Sequence, residues 1–136
     1  MKVKIYLVLM LVAGLSFALD SLNISLVGRA LHGHCHAVQI EGDYAYASAG
    51  EQFRIVNISD TDSILVEGYC YVHGTINDID KSGDVVFAST NKGLFIIDVS
   101  LPENPVEIGR FTGTKCLSAF YSDSTVYLAC GNEGVR

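Results

Sequence analysis

The sequence predicts an all-β fold, a partial β-propeller built of four-stranded antiparallel blades, because its segments recur at a spacing of about 41 residues. Three pairs of segments carry the repeat: 42–43 and 83–84, 46–48 and 87–89, and 53–59 and 94–100. The repeats span about 28–68, 69–109 and 110–136, and the third stops at Arg136 before its next strand is complete. A period of this length, filled with short β-type segments, is typical of propellers and related β arrays.

Each repeat is predicted to contain four short strands separated by turns. In the first repeat, segment 44–48 alternates large and small side chains, and Gly42 in the preceding turn is free to adopt a positive φ. The predicted strands are 36–40, 44–48, 53–58 and 64–69, then 76–80, 85–90, 94–99 and 106–110, then 116–121 and 125–130. Segment 24–29 aligns with the fourth strand of each repeat, so we expect the mature chain to start on such a strand.

The N-terminus has the pattern of a secretory signal peptide at 1–18. Lys2 and Lys4 precede an apolar run at 5–15, and small residues at Ser16 and Ala18 fit cleavage after Ala18. The apolar run is shorter than the roughly 20 residues of a transmembrane helix. An uncleaved anchor is the alternative. The mature part, 19–136, is therefore expected to be extracellular, periplasmic or on the cell surface.

The charge of the chain argues against a nucleic-acid partner. It contains 9 Lys and Arg against 15 Asp and Glu, a formal net charge of −6. Loss of the predicted signal peptide would remove two of those lysines. An acidic surface repels phosphate backbones.

Four cysteines would meet an oxidising environment if the chain is exported. They are Cys35, Cys70, Cys116 and Cys130, and their spacing leaves three pairings open for two disulfides. None belongs to a C-x-x-C motif, so the sequence supports neither a zinc knuckle nor a thioredoxin-like site. Buried free thiols are the alternative, because cysteine is common inside β-structure.

Residues 94–109, with the sequence LFIIDVSLPENPVEIG, resemble the core of the LVIVD repeat. The first repeat departs from it, with Asn57 in place of Asp98 and Asp-Thr-Asp-Ser at 60–63 in place of the proline-containing loop. The resemblance extends over 24–136. It implies a β-propeller that is exported or surface-associated, and it implies no particular reaction.

A closed propeller needs about four to eight blades, more than the two and a half repeats found here. We therefore expect the chain to be an N-terminal fragment whose ring is closed by missing downstream blades. Self-association of several chains is the alternative, because an unpaired blade leaves an apolar face uncovered.

Histidines form the densest group of potential ligands. His32, His34 and His36 would share one face of an extended strand, and His73 lies at the position equivalent to His32 in the next repeat. Near the channel mouth these four side chains could bind a transition metal. The second repeat carries Thr and Asn at the positions of His34 and His36, so ordinary polar roles are the competing interpretation.

Other residues favour structural roles over catalytic ones, and the sequence predicts no catalytic residue. Asp78 and Asp80 alternate on one strand as paired carboxylates can, but a solvated strand face is the simpler interpretation. The aromatic residues that could form a sugar-stacking surface mostly recur at repeat positions, so we expect them in the core: Tyr44, Tyr46, Tyr69, Tyr71, Phe87 and Tyr127.

Two functions are compatible with these sequence features. The first is a secreted or cell-surface, non-enzymatic module that binds a protein or glycan partner through loops at one rim. The alternative is a metal- or small-ligand-binding propeller, with or without enzymatic activity, that uses the four histidines. The sequence requires no cofactor, and it lacks a phosphate-binding loop, a nucleophile elbow and a metalloprotease motif.

Overall fold

The computed structural model describes residues 34–60 and 62–136. The predicted signal peptide at 1–18, the predicted strand at 24–29 and His32 lie outside the described residues. Among the residues described, no helix is long and apolar enough to cross a membrane. Their one helical element is a single 3₁₀ turn at Gly131–Glu133.

The prediction of an all-β fold is confirmed. The described chain forms ten strands, each within about two residues of a predicted one at its start. The first blade contains β1 Val38–Glu41, β2 Tyr44–Ala49, β3 Gln52–Asn57 and β4 Leu65–Tyr71. The second blade contains β5 Ile76–Ser82, β6 Val85–Thr90, β7 Gly93–Asp98 and β8 Val106–Thr112. A third unit contributes β9 Ser118–Ser122 and β10 Thr125–Ala129.

Each blade is a simple antiparallel meander. The strands follow one another in the order β1-β2-β3-β4 and β5-β6-β7-β8, and β9 pairs with β10. Between blades, the first strands are the neighbours: β1 contacts β5, and β5 contacts β9. The first strands therefore lie innermost and the fourth strands outermost, which is the arrangement of propeller blades.

The turns between first and second strands explain why the Gly-Asp pair recurs. Gly42 and Gly83 both adopt a positive φ, +58° and +56°, at the tips of equivalent two-residue hairpins. In the third unit the same turn is made by Asp123 and Ser124, both also with positive φ. Asp tolerates this conformation better than most non-glycine residues. The third hairpin therefore forms without the glycine that marks the first two.

The core lies between neighbouring blades rather than inside any one of them, and the second blade, which has a neighbour on each side, buries both faces. The larger cluster joins the first and second blades: Tyr46, Phe53, Ile55, Val72, Ile76, Ile79, Val86, Ala88, Phe95, Ile97 and Val99. The smaller cluster joins the second blade to the third unit: Phe87, Leu94, Cys116, Ala119, Leu128 and Cys130. Each blade is thus stabilised mainly by its neighbours, as in other repeat proteins.

Aromatic residues divide between these interfaces and the two outer faces. Tyr46 and Phe87 are buried, as expected from the repeat. The same expectation is wrong for Tyr69, Tyr71 and Tyr127, which are 56%, 68% and 49% exposed. They lie on the outward faces of the first blade and the third unit, where no described residue covers them.

Candidate functional site

A cleft of about 590 Å³ lies at one rim of the blades. Four segments meet there: the β4–β5 connection, the β6–β7 turn, the end of β8 with the loop that follows it, and the 3₁₀ turn at Gly131–Glu133. The cleft is lined by His73, Asn91, Lys92, Arg110, Thr112, Gly113, Thr114, Lys115 and Glu133. Loops at a blade rim are held in place by rigid strands, which suits them to recognition.

Thr90, at the end of β6, ties two of these segments together beneath the cleft. Its buried hydroxyl can donate its one hydrogen to the carbonyl of Gly93 at 3.0 Å or to that of His73 at 3.3 Å, and its Oγ1 accepts the N–H of Lys92 at 3.0 Å. Alongside, Asn91 Oδ1 accepts the backbone N–H of Thr75 at 3.1 Å. The β4–β5 connection and the β6–β7 turn are therefore fixed relative to each other.

Gly74 allows these two segments to approach closely. Its φ is +101°, and a Cβ atom there would lie 2.3 Å from Asn91 Oδ1 and 2.8 Å from Lys92 Cγ. Any other residue would be strained at this φ and would push the Asn91 and Lys92 side chains out of their positions. The shape of the cleft wall thus depends on a glycine.

The cleft is basic although the protein is acidic. Lys92, Arg110 and Lys115 line it, and they are half of the Lys and Arg in the described residues. Glu133 is the single carboxylate on its wall, and that group is paired with Arg136, at 2.7 Å from its Nη2. The positive charge of the two lysines therefore has no carboxylate partner within 4.0 Å among the described residues.

Arg110 is held in position more firmly than the lysines. Its Nε lies 2.5 Å from Glu107 Oε1, and its guanidinium carbon lies 5.5 Å from the centre of the Phe95 ring. Both contacts orient the planar group at the edge of the second blade. Because Glu107 neutralises part of its charge, Arg110 contributes shape and hydrogen-bond donors more than net charge.

Thr114 provides a buried polar group in the same wall. The residue is 6% exposed, and its Oγ1 has no hydrogen-bond partner among the described residues. An unsatisfied buried hydroxyl is uncommon and costs free energy unless a ligand or solvent satisfies it. Because that oxygen is itself shielded from solvent, a ligand in the cleft reaches it only if the surrounding wall moves.

The predicted histidine site is only partly described. His34 and His36 are exposed just before β1, with ring centres 6.3 Å apart in an edge-to-face arrangement. His73 lies at the cleft on the same rim. The described residues contain no group of three His, Cys, Asp or Glu side chains placed to hold a metal ion. Since His32 is outside the described residues, the four-histidine metal site stays a prediction.

Asp78 and Asp80 have a structural role that the sequence pattern did not reveal. Asp78 Oδ2 accepts a hydrogen bond from Ser118 Oγ at 2.5 Å, and Asp80 Oδ2 accepts one from the backbone N–H of Tyr121 at 2.6 Å. Both carboxylates are partly buried between β5 and β9. The interpretation as a solvated strand face is wrong, because they connect the second blade to the third unit.

The basic residues of the cleft were also not identified from the sequence. Arg110 and Lys115 are five residues apart, Lys92 lies further upstream, and the three form no motif. The signal that could have identified them is their position in the repeat. Lys92 and Lys115 follow the ends of β6 and β8, and Arg110 lies near the end of β8, so the repeat register places all three on one rim.

Comparison with known proteins agrees with this architecture. The family model of the LVIVD repeat matches twice, at 32–71 and at 73–113. The two matches are offset by the same spacing as the two blades, and each covers the four strands of one blade. No curated protein matches the chain significantly. On the strength of two consecutive matches that together cover more than half of its length, the chain belongs to the LVIVD repeat family.

Proposed function

We propose that this chain is an exported, non-enzymatic β-propeller module that binds an acidic protein or glycan partner through the rim cleft. The proposal of export is supported by the signal-peptide pattern at 1–18. The proposal of binding rests chiefly on one observation, which is that Lys92 and Lys115 line one concavity and neither has a carboxylate partner within 4.0 Å among the described residues.

This arrangement suits a carboxylate or another anionic group. A carboxylate accepts several hydrogen bonds at once, and those from charged donors are the stronger ones. The ammonium groups of Lys92 and Lys115 are charged donors of this stronger kind. Because the lysines are exposed, each contributes little alone. Binding is therefore expected to be of modest affinity and sensitive to salt.

The sequence contains no recognised catalytic motif, which favours a binding function over an enzymatic one. Glu133, the one carboxylate among the residues that line the cleft, is paired with Arg136. Rigid loops with a few convergent polar groups are sufficient for binding.

Binding can be tested with two soluble polyanions, polygalacturonate for an acidic glycan and polyglutamate for an acidic protein segment. The wild-type chain, Lys92→Gln, Lys115→Gln and Arg54→Gln would be compared by titration at low and moderate salt. Each variant removes one positive charge, but Arg54 lies outside the cleft and bonds to Gln52. We expect the two cleft variants to bind several-fold more weakly and Arg54→Gln to bind as the wild type does.

Equal weakening by Arg54→Gln would show a general charge effect and contradict a role for the cleft. Binding of one polyanion alone would identify the partner class, glycan or protein. Lack of binding to both would contradict recognition of acidic groups.

Export can be tested separately by expressing the chain with and without residues 1–18. Recovery of a product that begins at Leu19 outside the cytoplasm, only from the longer form, is the expected result. Retention of residues 1–18 on an exported product would support an uncleaved anchor instead.

The metal- or small-ligand-binding alternative has one supporting feature. His34 and His36 are exposed next to each other on the rim that also carries His73. Metal content of the wild type and of a variant with His32, His34 and His36 all replaced by Ala would test it. Unchanged stoichiometry would contradict the histidine site.

A further inference from the structure

Cys116 and Cys130 face each other inside the small cluster that joins the second blade to the third unit. Their Sγ atoms lie 4.0 Å apart, and the two residues are 0% and 4% exposed. Cys35 and Cys70, by contrast, have no other sulfur within hydrogen-bonding distance among the described residues. One of the three pairings left open by the sequence is therefore distinguished by geometry.

The repeat explains why these two side chains meet. In the second blade, Ile76 and Thr90 are cross-strand partners, and Ile76 N–H donates to the carbonyl of Gly50 at 3.0 Å. In the third unit, Cys116 N–H donates to the carbonyl of Thr90 at 2.9 Å in the same way. Cys116 thus takes the place of Ile76, and Cys130 takes that of Thr90. The Sγ atoms at these two positions are 4.0 Å apart, so a disulfide needs only a small adjustment of the side chains.

We propose that Cys116 and Cys130 form an intrachain disulfide that fastens β9 to β10 in the exported protein. Two cysteines make up a third of the six residues in this cluster, which is much smaller than the cluster between the first two blades. A covalent link across the start of β9 and the end of β10 compensates for the limited apolar burial there. The link closes the β9–β10 hairpin into a short loop, which restricts the unfolded chain.

The oxidation requires a disulfide donor, such as glutathione disulfide or an oxidising protein of the compartment. One cysteine thiolate attacks a donor sulfur and expels a donor thiolate, which gives a mixed disulfide. The second cysteine thiolate then attacks the protein sulfur of that mixed disulfide and releases the second donor thiolate. The two cysteines lose two protons and two electrons, and the donor disulfide is reduced to two thiols.

The step is favoured during folding rather than after it. Burial, followed by the hydrogen bond with Cys130, raises the pKa of the Cys116 thiol to about 11. In the folded protein the Cys116 thiol is therefore protonated at neutral pH and both sulfur atoms are shielded from a donor, whereas exchange needs an accessible thiolate. Oxidation should proceed quickly when the reduced, unfolded chain is refolded with a donor present, and slowly when the folded chain is treated.

Trypsin makes this pairing easy to identify. Cleavage after Lys115 leaves both cysteines in one peptide, 116–136, while Cys35 and Cys70 fall in two others, 30–54 and 55–81. The full-length chain would be refolded with reduced and oxidised glutathione, quenched in acid, alkylated in denaturant and digested. We expect peptide 116–136 to lack two hydrogen atoms and to carry no alkyl group. Alkylation of both cysteines in that peptide, or a link from it to peptide 30–54 or 55–81, would overturn the proposal.

A second measurement tests whether the link stabilises the third unit. The variant with Cys35 and Cys70 both replaced by Ser keeps the proposed pair and excludes other intrachain pairings. Its oxidised form should melt roughly 10 °C above its reduced form. Equal melting temperatures would overturn the stabilising role. Formation of the disulfide in the cell rests on the proposed export. Both measurements use purified protein, so a negative result in either one would count against the disulfide and not against export or polyanion binding.

Discussion

The ammonium group of Lys81 lies 5.0 Å from the centre of the Tyr46 ring, across the interface between the first and second blades. The next interface repeats this relationship with different chemistry. There Tyr121 stacks on Phe87 with ring centres 5.1 Å apart and planes 10° from parallel. Lys81 and Tyr121 hold equivalent positions on β5 and β9. Each innermost strand therefore covers an aromatic ring of the preceding blade, with a cation in one case and a ring in the other.

Replacing Lys81 should weaken the interface between the first two blades. Its side chain is only 6% exposed, pairs with Glu41 and donates to the carbonyl of Gly83 at 2.5 Å. Lys81→Met keeps most of the stem and removes the charge and the donors. We expect a loss of about 1–2 kcal/mol in the free energy of unfolding, measured by urea denaturation. Lys115→Met, at an exposed position, should change it by less than about 0.5 kcal/mol; equal losses would contradict the interface role.

Gly68 lets the outer strand of the first blade contact the proline-containing loop of the second. A Cβ atom at Gly68 would lie 2.2 Å from the carbonyl oxygen of Pro102 and 2.8 Å from Pro105 Cδ. Gly68→Ala must therefore displace the loop, at a cost of about 1–3 kcal/mol.

The equivalent glycine of the second blade is a matched control. At Gly109 the nearest atom to an added Cβ, Ile96 Cδ1, is 3.5 Å away, an ordinary contact distance. Gly109→Ala should leave the free energy of unfolding unchanged or raise it by less than about 1 kcal/mol, because alanine restricts the unfolded chain. Thermal or urea unfolding of both variants checks the difference, and equal destabilisation would show that the loop contact is unimportant.

Asp80 should matter for the attachment of the third unit because its carboxylate accepts the N–H of Tyr121. Asp80→Ala leaves that partly buried N–H without its partner, so we expect a loss of about 1–3 kcal/mol. Amide exchange of Tyr121 should become faster in this variant. Asp80→Asn keeps an acceptor oxygen and should lose less. If Asp80→Ala and the wild type exchanged alike, the carboxylate would not hold the third unit.

The strands and the repeat were predictable from sequence because each depends on local pattern. Alternating side chains and turn residues recur in every unit, so a strand that is poorly marked in one unit can be assigned from the equivalent strands of the others. A departure from the repeat sequence need not change the local structure. Asn57 replaces Asp98, yet both side chains accept the N–H of the serine two residues on, at 3.0 Å and 2.8 Å. An amide oxygen and a carboxylate oxygen can both form this turn.

The candidate site could not be predicted in this way, since it depends on which blades become neighbours. Lys92 and Lys115 belong to different connections, and only the packing of the third unit against the second blade brings them to one cleft. Asp78 and Asp80 illustrate the same limit. Their strand pattern is compatible with solvent exposure, and their role appears only when β9 is placed beside β5.

The thiol of Cys70 should make the protein less stable at alkaline pH. Burial, and secondarily the carboxylate of Glu107, raises its pKa from the ordinary 9.0 to about 11. Because the folded state keeps this proton longer than the unfolded state, the thiol favours folding below pH 9, and that contribution is lost as the pH rises from 9 to about 11. The melting temperature of the wild type, kept reduced, should therefore fall across this range.

Cys70→Ala removes the titrating group, so its melting temperature should fall less steeply between pH 9 and 11, whatever its value at neutral pH. The slope is the informative quantity, because the smaller side chain also reduces packing opposite Phe53 on β3. Cys35→Ala alters an exposed thiol and should give a slope equal to that of the wild type. Parallel curves for Cys70→Ala and the wild type would mean that the thiol of Cys70 does not carry the alkaline loss, since a group that titrates differently in the two states must appear in the pH dependence.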